Sequence, residues 1–335
     1  MRGITYMANI KQIAELSGVS VTTVSRVLNN HPYVSQEKRE AVMQVVEQLD
    51  YSQNFNAVHL VKGRTQMIGI LLPCMDMPFF SSFMTGLADE ALKHKYNLVF
   101  FQTDYNEEEE LRALHMLKRR QIDGLIIVSK DLSWDTIEEY AHYGPIVSLE
   151  HAGNRPISSI SFDYYGSYSY AMRYLIDKGH RHIGISVCRE YSYNSSIRLQ
   201  AYMDALRDVG VTPHEDWMFY RSSNIQHGAE VLQRWIAMDN RPTAIIASGD
   251  EVAAGIILEG RKRDIYVPEH LSLISCENFP MAAVIGVTSI DYRNEEAGAA
   301  MFQACYTRIM QPEAMPEQHI MRFEFVERSS VASLI

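Results

Sequence analysis

Residues 19–29 carry two kinds of side chain on two faces of one short segment. At the period of a helix, one face of this segment is apolar and the other is rich in hydroxyl, amide and guanidinium groups. An arginine can form two hydrogen bonds to a guanine edge, and short hydroxyl and amide side chains bond to phosphate oxygens. The apolar stripe is Val24, Val27 and Leu28, and the polar stripe is Thr22, Arg26 and Asn29.

A shorter segment, residues 9–17, precedes the first one and completes a helix-turn-helix plan. Asn9 and Gln12 have the three-residue offset of a capping box, which predicts a helix start. Gly18 supplies a tight turn, and Ser20 can cap the second helix. The same plan occurs in ordinary helical proteins. Here its N-terminal position and its solvent face, which lacks a Glu/Lys mixture, favour insertion of the second helix into the major groove of DNA.

A third amphipathic segment, residues 35–49, is predicted to cover the first two helices. We therefore predict a helix-turn-helix DNA-binding domain over residues 8–52, preceded by a disordered extension of residues 1–7. Residues 53–64 have too little periodic hydrophobicity to fold unaided. We predict that they form a hinge that becomes helical when a partner holds it.

From residue 67 onward, short apolar runs alternate with helical stretches, which gives nine predicted strands and seven predicted helices. This alternation predicts an α/β fold with parallel sheets covered on both faces, and the length requires two similar subdomains. A ligand is expected in the cleft between them, at the carboxyl ends of the strands. The N-subdomain is predicted at residues 65–162 plus 292–318, and the C-subdomain at 163–291 plus 319–330.

The charge of the chain is unevenly distributed. The net charge is −10, yet residues 1–64 hold seven Lys or Arg against five Asp or Glu. The N-terminal part can therefore approach a phosphate backbone, while the acidic remainder is repelled by it.

Several classes of protein are disfavoured by what the sequence lacks. No apolar stretch is long enough to span a membrane, and the chain does not begin with the apolar core of a signal peptide, so a cytoplasmic location is expected. The sequence contains no GxGxxG, GxxxxGK[ST], GxSxG or HExxH motif, and we predict no enzyme activity, cofactor or metal. Free thiols in a reducing compartment are predicted for the scattered Cys74, Cys188, Cys276 and Cys305.

Residues 13–29 (IAELSGVSVTTVSRVLN) form a highly specific string, through which the chain resembles the LacI/GalR family of bacterial transcription repressors. The resemblance runs from about residue 10 to residue 329. It implies an N-terminal all-α headpiece, a hinge, and two doubly wound α/β subdomains of the periplasmic-binding-protein type. On this basis residues 65–335 are assigned to effector binding and dimerisation. Weaker strings in matching order lie at residues 78–80, 123–127, 178–183, 241–245, 250–255 and 267–272.

The same resemblance assigns residues to DNA contacts. The hinge residue Leu60 is expected to wedge into the minor groove and kink the operator. The hinge departs from the family pattern, because Gln53 stands where proline is usual and Val58 replaces a common arginine. Three residues are expected to face base edges: Val21, Thr22 and Arg26. Seven are expected to lie near phosphates: Asn9, Ser20, Thr23, Ser25, Asn29, Tyr33 and Asn54.

For the effector, the resemblance implies five residues that line the cleft, and their chemistry suits a polyhydroxylated ligand. Two departures leave the identity of the ligand open. Residues 275–278 (SCEN) replace the usual Gly-aromatic-Asp-Asp/Asn, and Ser223 or its neighbours lie where many members carry an aromatic stacking residue. A sugar or sugar derivative is expected, with a larger saccharide, a phosphosugar, a nucleobase or no ligand as alternatives. The five residues are Phe79, Asp163, Arg198, Asp250 and Glu277.

The resemblance thus predicts a homodimeric, sequence-specific repressor of an operon for sugar catabolism or uptake. It would bind a near-palindromic double-stranded operator under the control of a small-molecule effector, without a membrane partner. One rival is a solute-binding protein with the same two lobes, which would need export. The other rival is an enzyme that uses Asp163, Asp250 and Glu277 as acid and base groups.

Overall fold

The computed structural model of the chain describes residues 9–51, 63–76 and 78–335. The chain divides into two units, Met1–Thr65 and Gln66–Ile335. The predictions made for residues 1–7 and for most of the hinge, including Asn54 and Leu60, lie outside the described residues.

Three helices form the first unit: α1 (Ile10–Ser17), α2 (Val21–Leu28) and α3 (Gln36–Gln48). The predicted capping box is confirmed. The side-chain oxygen of Asn9 accepts hydrogen bonds from the N–H groups of Lys11 (3.0 Å) and Gln12 (3.1 Å), and the Gln12 side chain accepts one from the Asn9 N–H (3.0 Å). Gly18 ends α1 with a φ of +65°, a left-handed conformation that glycine adopts without steric cost.

The core of this module contains two side chains from each helix. Burying a valine or isoleucine side chain stabilises a fold by about 1.5–3 kcal/mol, and all three helices contribute such side chains to one shared core. Helix α3 therefore covers the other two, as predicted. The buried residues are Ile13, Ala14, Val24, Val27, Val42 and Val45.

Six strands, all paired in parallel, form the first sheet of the second unit. They are β1 (Met67–Leu72), β2 (Asn97–Gln102), β3 (Gly124–Ile127), β4 (Ile146–Ser148), β5 (Ser158–Phe162) and β11 (Gln318–Met321). Their spatial order is β11-β5-β4-β3-β1-β2.

The second sheet repeats this plan, with a single antiparallel pair at one edge, between β10 and β12. Its strands are β6 (Ile183–Ser186), β7 (Met218–Phe219), β8 (Ala244–Ile246), β9 (Ser272–Cys276), β10 (Thr288–Asp291) and β12 (Glu324–Val326). Their order is β12-β10-β9-β8-β6-β7. Both sheets are thus doubly wound, and ligands of such sheets bind beyond the carboxyl ends of the strands, where the winding direction reverses.

Helices cover both faces of each sheet, as the alternating pattern predicted. The first lobe, built on the first sheet, carries α4 (Pro78–His94) and α12 (Asn294–Met310) on one face and α5 (Glu107–Lys118) and α6 (Trp134–Glu138) on the other. The second lobe carries α7 (Tyr164–Asp177) and α8 (Tyr193–Asp208) on one face. Its other face is covered by α9 (Ile225–Ala237), α10 (Asp250–Arg261) and α11 (Pro280–Val284).

Helices α4 and α12 cross at two glycines that allow close contact between the backbones. A Cβ atom on Gly86 would lie 1.8 Å from the carbonyl oxygen of Glu295, and one on Gly298 would lie 2.1 Å from that of Phe83. Any side chain at either position would force the two helices apart.

The chain crosses between the lobes three times, after β5, after β10 and after β11. Because β11 pairs with β5, the last crossing lies at residues 322–323, whereas the sequence placed the subdomain boundary between 318 and 319. The sequence also missed β7, β11, β12, α6 and α11, which contain two to five residues each and are too short to show a period.

Candidate nucleic-acid interface and ligand cleft

One face of α2 is exposed and carries the residues predicted to read bases. Thr22 and Arg26 are one helical turn apart and exposed, and Val21 is 42% exposed beside them. Within the described residues, the Arg26 guanidinium has no hydrogen bond or ion pair. All five of its N–H donors are therefore available to a ligand.

The residues predicted to lie near phosphates cap α1 and α2 (Asn9, Ser20 and Asn29), lie within α2 (Thr23 and Ser25) or follow it (Tyr33). Ser20 caps α2 by accepting a hydrogen bond from the Thr23 N–H (3.2 Å), and the Asn29 side-chain amide donates to the Ser25 carbonyl (2.8 Å). Tyr33 is 85% exposed. These polar side chains fix the helix ends at the surface, where helix N-termini present N–H groups that suit anions.

A small cavity lies at the carboxyl ends of the strands and brings two of the predicted effector residues together. Its volume is about 30 Å³, room for roughly one water molecule, so the cleft is closed around its own side chains. The walls come from both lobes. They are formed by Pro78, Phe79, Cys188, Ser222, Ser223, Ser248, Gly249, Glu251 and Glu277.

Arg198 lies beside this cavity on α8. Its guanidinium is stacked over the ring of Tyr164 at 4.3 Å and is 5.6 Å from the ring of Tyr168. The Arg198 Nε is buried and has no hydrogen-bond partner. A buried donor without an acceptor is costly, so this nitrogen is a candidate for contact with a ligand oxygen.

Glu277 has an unusual backbone and side-chain environment. Its φ is +92°, in a region that non-glycine residues rarely occupy. No described residue donates a hydrogen bond to its carboxylate. Burial raises the pKa of Glu277 well above its usual range, with further raising by Asp250, while Arg198 lowers it.

Asp250 was predicted to face the effector, but the structure does not bring its carboxylate to the cavity. The side chain is fully buried and accepts hydrogen bonds from the Ser275 hydroxyl, the Ser289 hydroxyl (3.1 Å) and the Phe279 N–H (2.7 Å). Its neighbours Gly249 and Glu251 line the cavity instead. Asp250 therefore fixes the loop that carries Glu277.

The Asp250→Asn variant should change the pH dependence of stability. Burial raises the pKa of Asp250 from 3.8 to about 6, so the folded state holds this proton more tightly than the unfolded state. The stability contributed by this proton is complete below pH 3.8 and is lost as pH rises to about 6. Two pH units correspond to about 3 kcal/mol. Urea unfolding from pH 4 to 7 should show the wild type losing that amount relative to the variant, and parallel curves would contradict the assignment.

Asp163 is half-buried at the crossing between β5 and α7. It caps α7, because its side chain accepts a hydrogen bond from the Gly166 N–H (2.8 Å). Of the three carboxylates considered for an enzyme, only Glu277 lines the cavity, whereas Asp163 and Asp250 accept hydrogen bonds that fix local structure.

A contact between the lobes was missed by sequence reasoning. Arg189, which follows β6 in the second lobe, forms an ion pair with Asp131 of the first lobe (2.9 Å). Its guanidinium also lies 3.5 Å from the ring centre of Tyr105 in the first lobe. Each of these residues lies alone in a loop, so no motif in the sequence marks it as part of a contact between the lobes.

Two absences hold for the described ranges 9–51, 63–76 and 78–335. In this part of the chain no helix is both long and apolar enough to cross a membrane. Nor do three His, Cys, Asp or Glu side chains in these ranges come together as a metal site.

Comparison with known proteins gives two family matches that together cover both units. Residues 9–54 match the family described as bacterial regulatory proteins, lacI family. Residues 65–329 match periplasmic binding proteins and the sugar binding domain of the LacI family.

Similar proteins include the "Uncharacterized HTH-type transcriptional regulator YkvZ" of Bacillus subtilis (strain 168), which is 40% identical over 97% of this chain and 100% of that protein. The structure of the lac repressor dimer bound to operator and the anti-inducer ONPF has a TM-score of 0.85. It is 21% identical and covers 98% of this chain and 100% of its own. A LacI-family regulator from Enterococcus faecium with bound ribose has a TM-score of 0.71, at 24% identity over 80% of this chain and 100% of its own.

The family matches span most of the chain and include the helices whose exposed face carries Arg26. The chain belongs to the LacI family of bacterial regulatory proteins and is a DNA-binding transcriptional regulator, not an enzyme.

Proposed function

We propose that the protein acts in the cytoplasm as a homodimeric repressor whose operator affinity is set by a polyhydroxylated ligand in the interlobe cleft. One observation carries this proposal. An aromatic ring (Phe79), a carboxylate (Glu277) and a guanidinium nitrogen without a partner (Arg198) lie in or beside a single cleft. Sugars offer C–H edges to the ring and hydroxyls to both polar groups.

For the operator, we propose direct base contacts from Val21, Thr22 and Arg26, with Leu60 in the minor groove. The exposure of the first three residues on one face of α2 supports this assignment. Phosphate contacts are proposed for Asn9, Ser20, Thr23, Ser25, Asn29, Tyr33 and Asn54.

We propose that dimerisation covers large apolar side chains that the single chain leaves in solvent. Leu92 on α4 is 79% exposed and Val284 on α11 is 85% exposed. Phe100 on the edge strand β2 and Leu258 on α10 are also exposed. A dimer would place two recognition helices one turn of DNA apart, about 34 Å, so the operator should be a near-palindrome. The lac repressor neighbour, which was solved as a dimer on its operator, supports the same arrangement.

The proposed ligand site consists of Phe79, Arg198 and Glu277. Asp163 is proposed to lie at the edge of this site. Asp250 is proposed to act indirectly, by fixing the loop that carries Glu277. The ribose in the Enterococcus faecium neighbour supports a sugar-sized ligand. To act as a strong switch, the ligand must prefer one conformation of the lobes by about 5.5 kcal/mol.

Arg189→Ala should open the cleft. The variant loses a partly exposed ion pair, worth about 0.2–1 kcal/mol, and a cation–π contact, worth about 0.5–1 kcal/mol. We expect the ratio of closed to open molecules to fall by about three- to thirtyfold. Small-angle X-ray scattering of the variant should give a larger radius of gyration.

The control for this experiment is Arg207→Ala, which breaks an ion pair with Asp204 (2.8 Å) inside the second lobe. Its scattering curve should match that of the wild type. If Arg189→Ala also matched the wild type, Arg189 would not hold the lobes together.

Selection from a pool of random duplexes tests the proposed function as a whole. The purified full-length protein should enrich a near-palindrome, and one sugar of a panel should change the amount of that duplex retained. Enrichment of no sequence would refute operator reading, and an unchanged amount with every sugar would refute sugar control.

A further inference from the structure

Glu277 lines two spaces. One is the small cavity, which it lines with Phe79. The other is a groove of about 630 Å³ between α4, the loop before α11 and the start of α12, which we call the acidic groove. Glu277 is therefore shared by the cavity and the groove.

The acidic groove has a strong excess of negative charge. Seven acidic side chains line it against two basic ones. Both cations are already paired, Lys93 with Glu90 (2.5 Å) and Arg293 with Glu296 (2.5 Å). The acidic residues are Asp89, Glu90, Glu277, Asp291, Glu295, Glu296 and Glu324. Such a surface attracts cations and repels anions, which disfavours a phosphosugar.

Asn294 supplies a second, independent observation. This residue is 4% exposed, lines the groove, and has no hydrogen-bond partner for either its Oδ1 or its Nδ2. Buried amide atoms are almost always satisfied in folded proteins. The Asn294 Oδ1 can accept a hydrogen bond from an ammonium, and its Nδ2 can donate one to a hydroxyl.

Glu277 itself has no cation close enough to form an ion pair. No Lys, Arg or His nitrogen of the described residues lies within 4 Å of its carboxylate, and Arg198 acts on it only from a greater distance. Asp250 and Glu251 add like charge on the α10 side. A carboxylate buried among acids is stabilised most by a cation brought by the ligand.

We propose that the effector carries a protonated amino group, as an amino sugar does, and that its ammonium binds Glu277. This inference rests on the proposed function of the cleft as a sugar site. The hydroxyls of the same ligand would meet Arg198 and Asn294, and Phe79 would contact its C–H edge.

The bound ammonium lowers the pKa of Glu277, because an opposite charge nearby favours the ionised carboxylate. The charged and titratable groups that face Glu277 are Arg198 on α8, Asp250 and Glu251 on α10, and Tyr164, Cys188 and Cys276.

Isothermal titration calorimetry of the full-length protein tests the proposal. The probes are D-glucosamine, D-galactosamine and D-mannosamine, each compared with its parent hexose and its N-acetyl derivative at neutral pH. One amino sugar should bind about tenfold or more tightly than its parent, the value of one charge-assisted hydrogen bond.

Two variants locate the effect. Glu277→Gln should remove the tenfold preference for the amino sugar over its parent hexose, because a neutral amide does not form a charge-assisted hydrogen bond of the same strength with the ammonium. Glu251→Gln removes one charge from the same cavity wall and should keep the preference.

The possible failures are distinct. Parent hexoses that bind as tightly as the amino sugars overturn the amine inference and leave a sugar-sensing cleft. A preference that survives in Glu277→Gln overturns the assignment of the ammonium to this residue. Absence of heat with all nine sugars overturns both the inference and the proposed sugar control.

Discussion

Arg26→Ala should make the protein indifferent to one base pair in each half of its operator. The Arg26 guanidinium is exposed on α2 and has no described partner, so it can form two hydrogen bonds to one guanine. Loss of such a pair costs about 1–3 kcal/mol per half-site, or about 5- to 150-fold in discrimination at that position. Competition titrations with duplexes that vary one symmetric position at a time should show the preference vanish at a single position.

The control for this variant is Lys38→Ala, an exposed cation on α3. It should leave base preference unchanged, and any loss of affinity should be the same for every duplex. An Arg26→Ala protein with the wild-type base preference would show that Arg26 does not read the operator.

Arg198→Ala should abolish the response to the effector and spare the affinity for the operator. The buried guanidinium offers its unpartnered Nε to the ligand, and hydrogen bonds that involve a charged group contribute about 1.5–3 kcal/mol each. Loss of one or two such bonds, about 1.5–6 kcal/mol, weakens effector binding by about tenfold to twenty-thousandfold. Operator titrations with and without the effector should coincide for this variant.

Two companion variants separate lost chemistry from lost packing. Arg198→Met keeps an unbranched side chain over Tyr164 and should show the same loss of response, since only the polar head is removed. Arg207→Ala, an exposed arginine on the same helix, should respond normally. A normal response in Arg198→Met would show that Arg198 acts by packing alone.

The first unit could be predicted closely from sequence because its determinants are local. The capping pair Asn9 and Gln12, the turn at Gly18 and the stripe that contains Val24 and Val27 all act within a few residues of each other. The longer strands and helices of the second unit were equally clear, since each shows one dominant period.

The sequence did not predict contacts that depend on the direction of a side chain or on residues far apart in the chain. Asp250 and Glu251 are adjacent at the start of α10, yet only Glu251 reaches the cavity, because successive helical residues point about 100° apart. A resemblance to a family identifies which residue lies near the ligand, but it does not give the direction of that residue's side chain. Arg189 and Asp131 lie far apart in the chain, and only the folded lobes bring them together.

The glycine crossing of α4 and α12 has a mechanical consequence. With their backbones in contact at Gly86 and Gly298, the two helices cannot slide past each other without collision. The first lobe should therefore respond to a ligand as a stiff block. A ligand would then rotate the first lobe as a rigid body about the three segments that connect it to the second lobe. The change transmitted to the DNA-binding helices would be a change in the angle between the lobes and not a deformation of the first lobe.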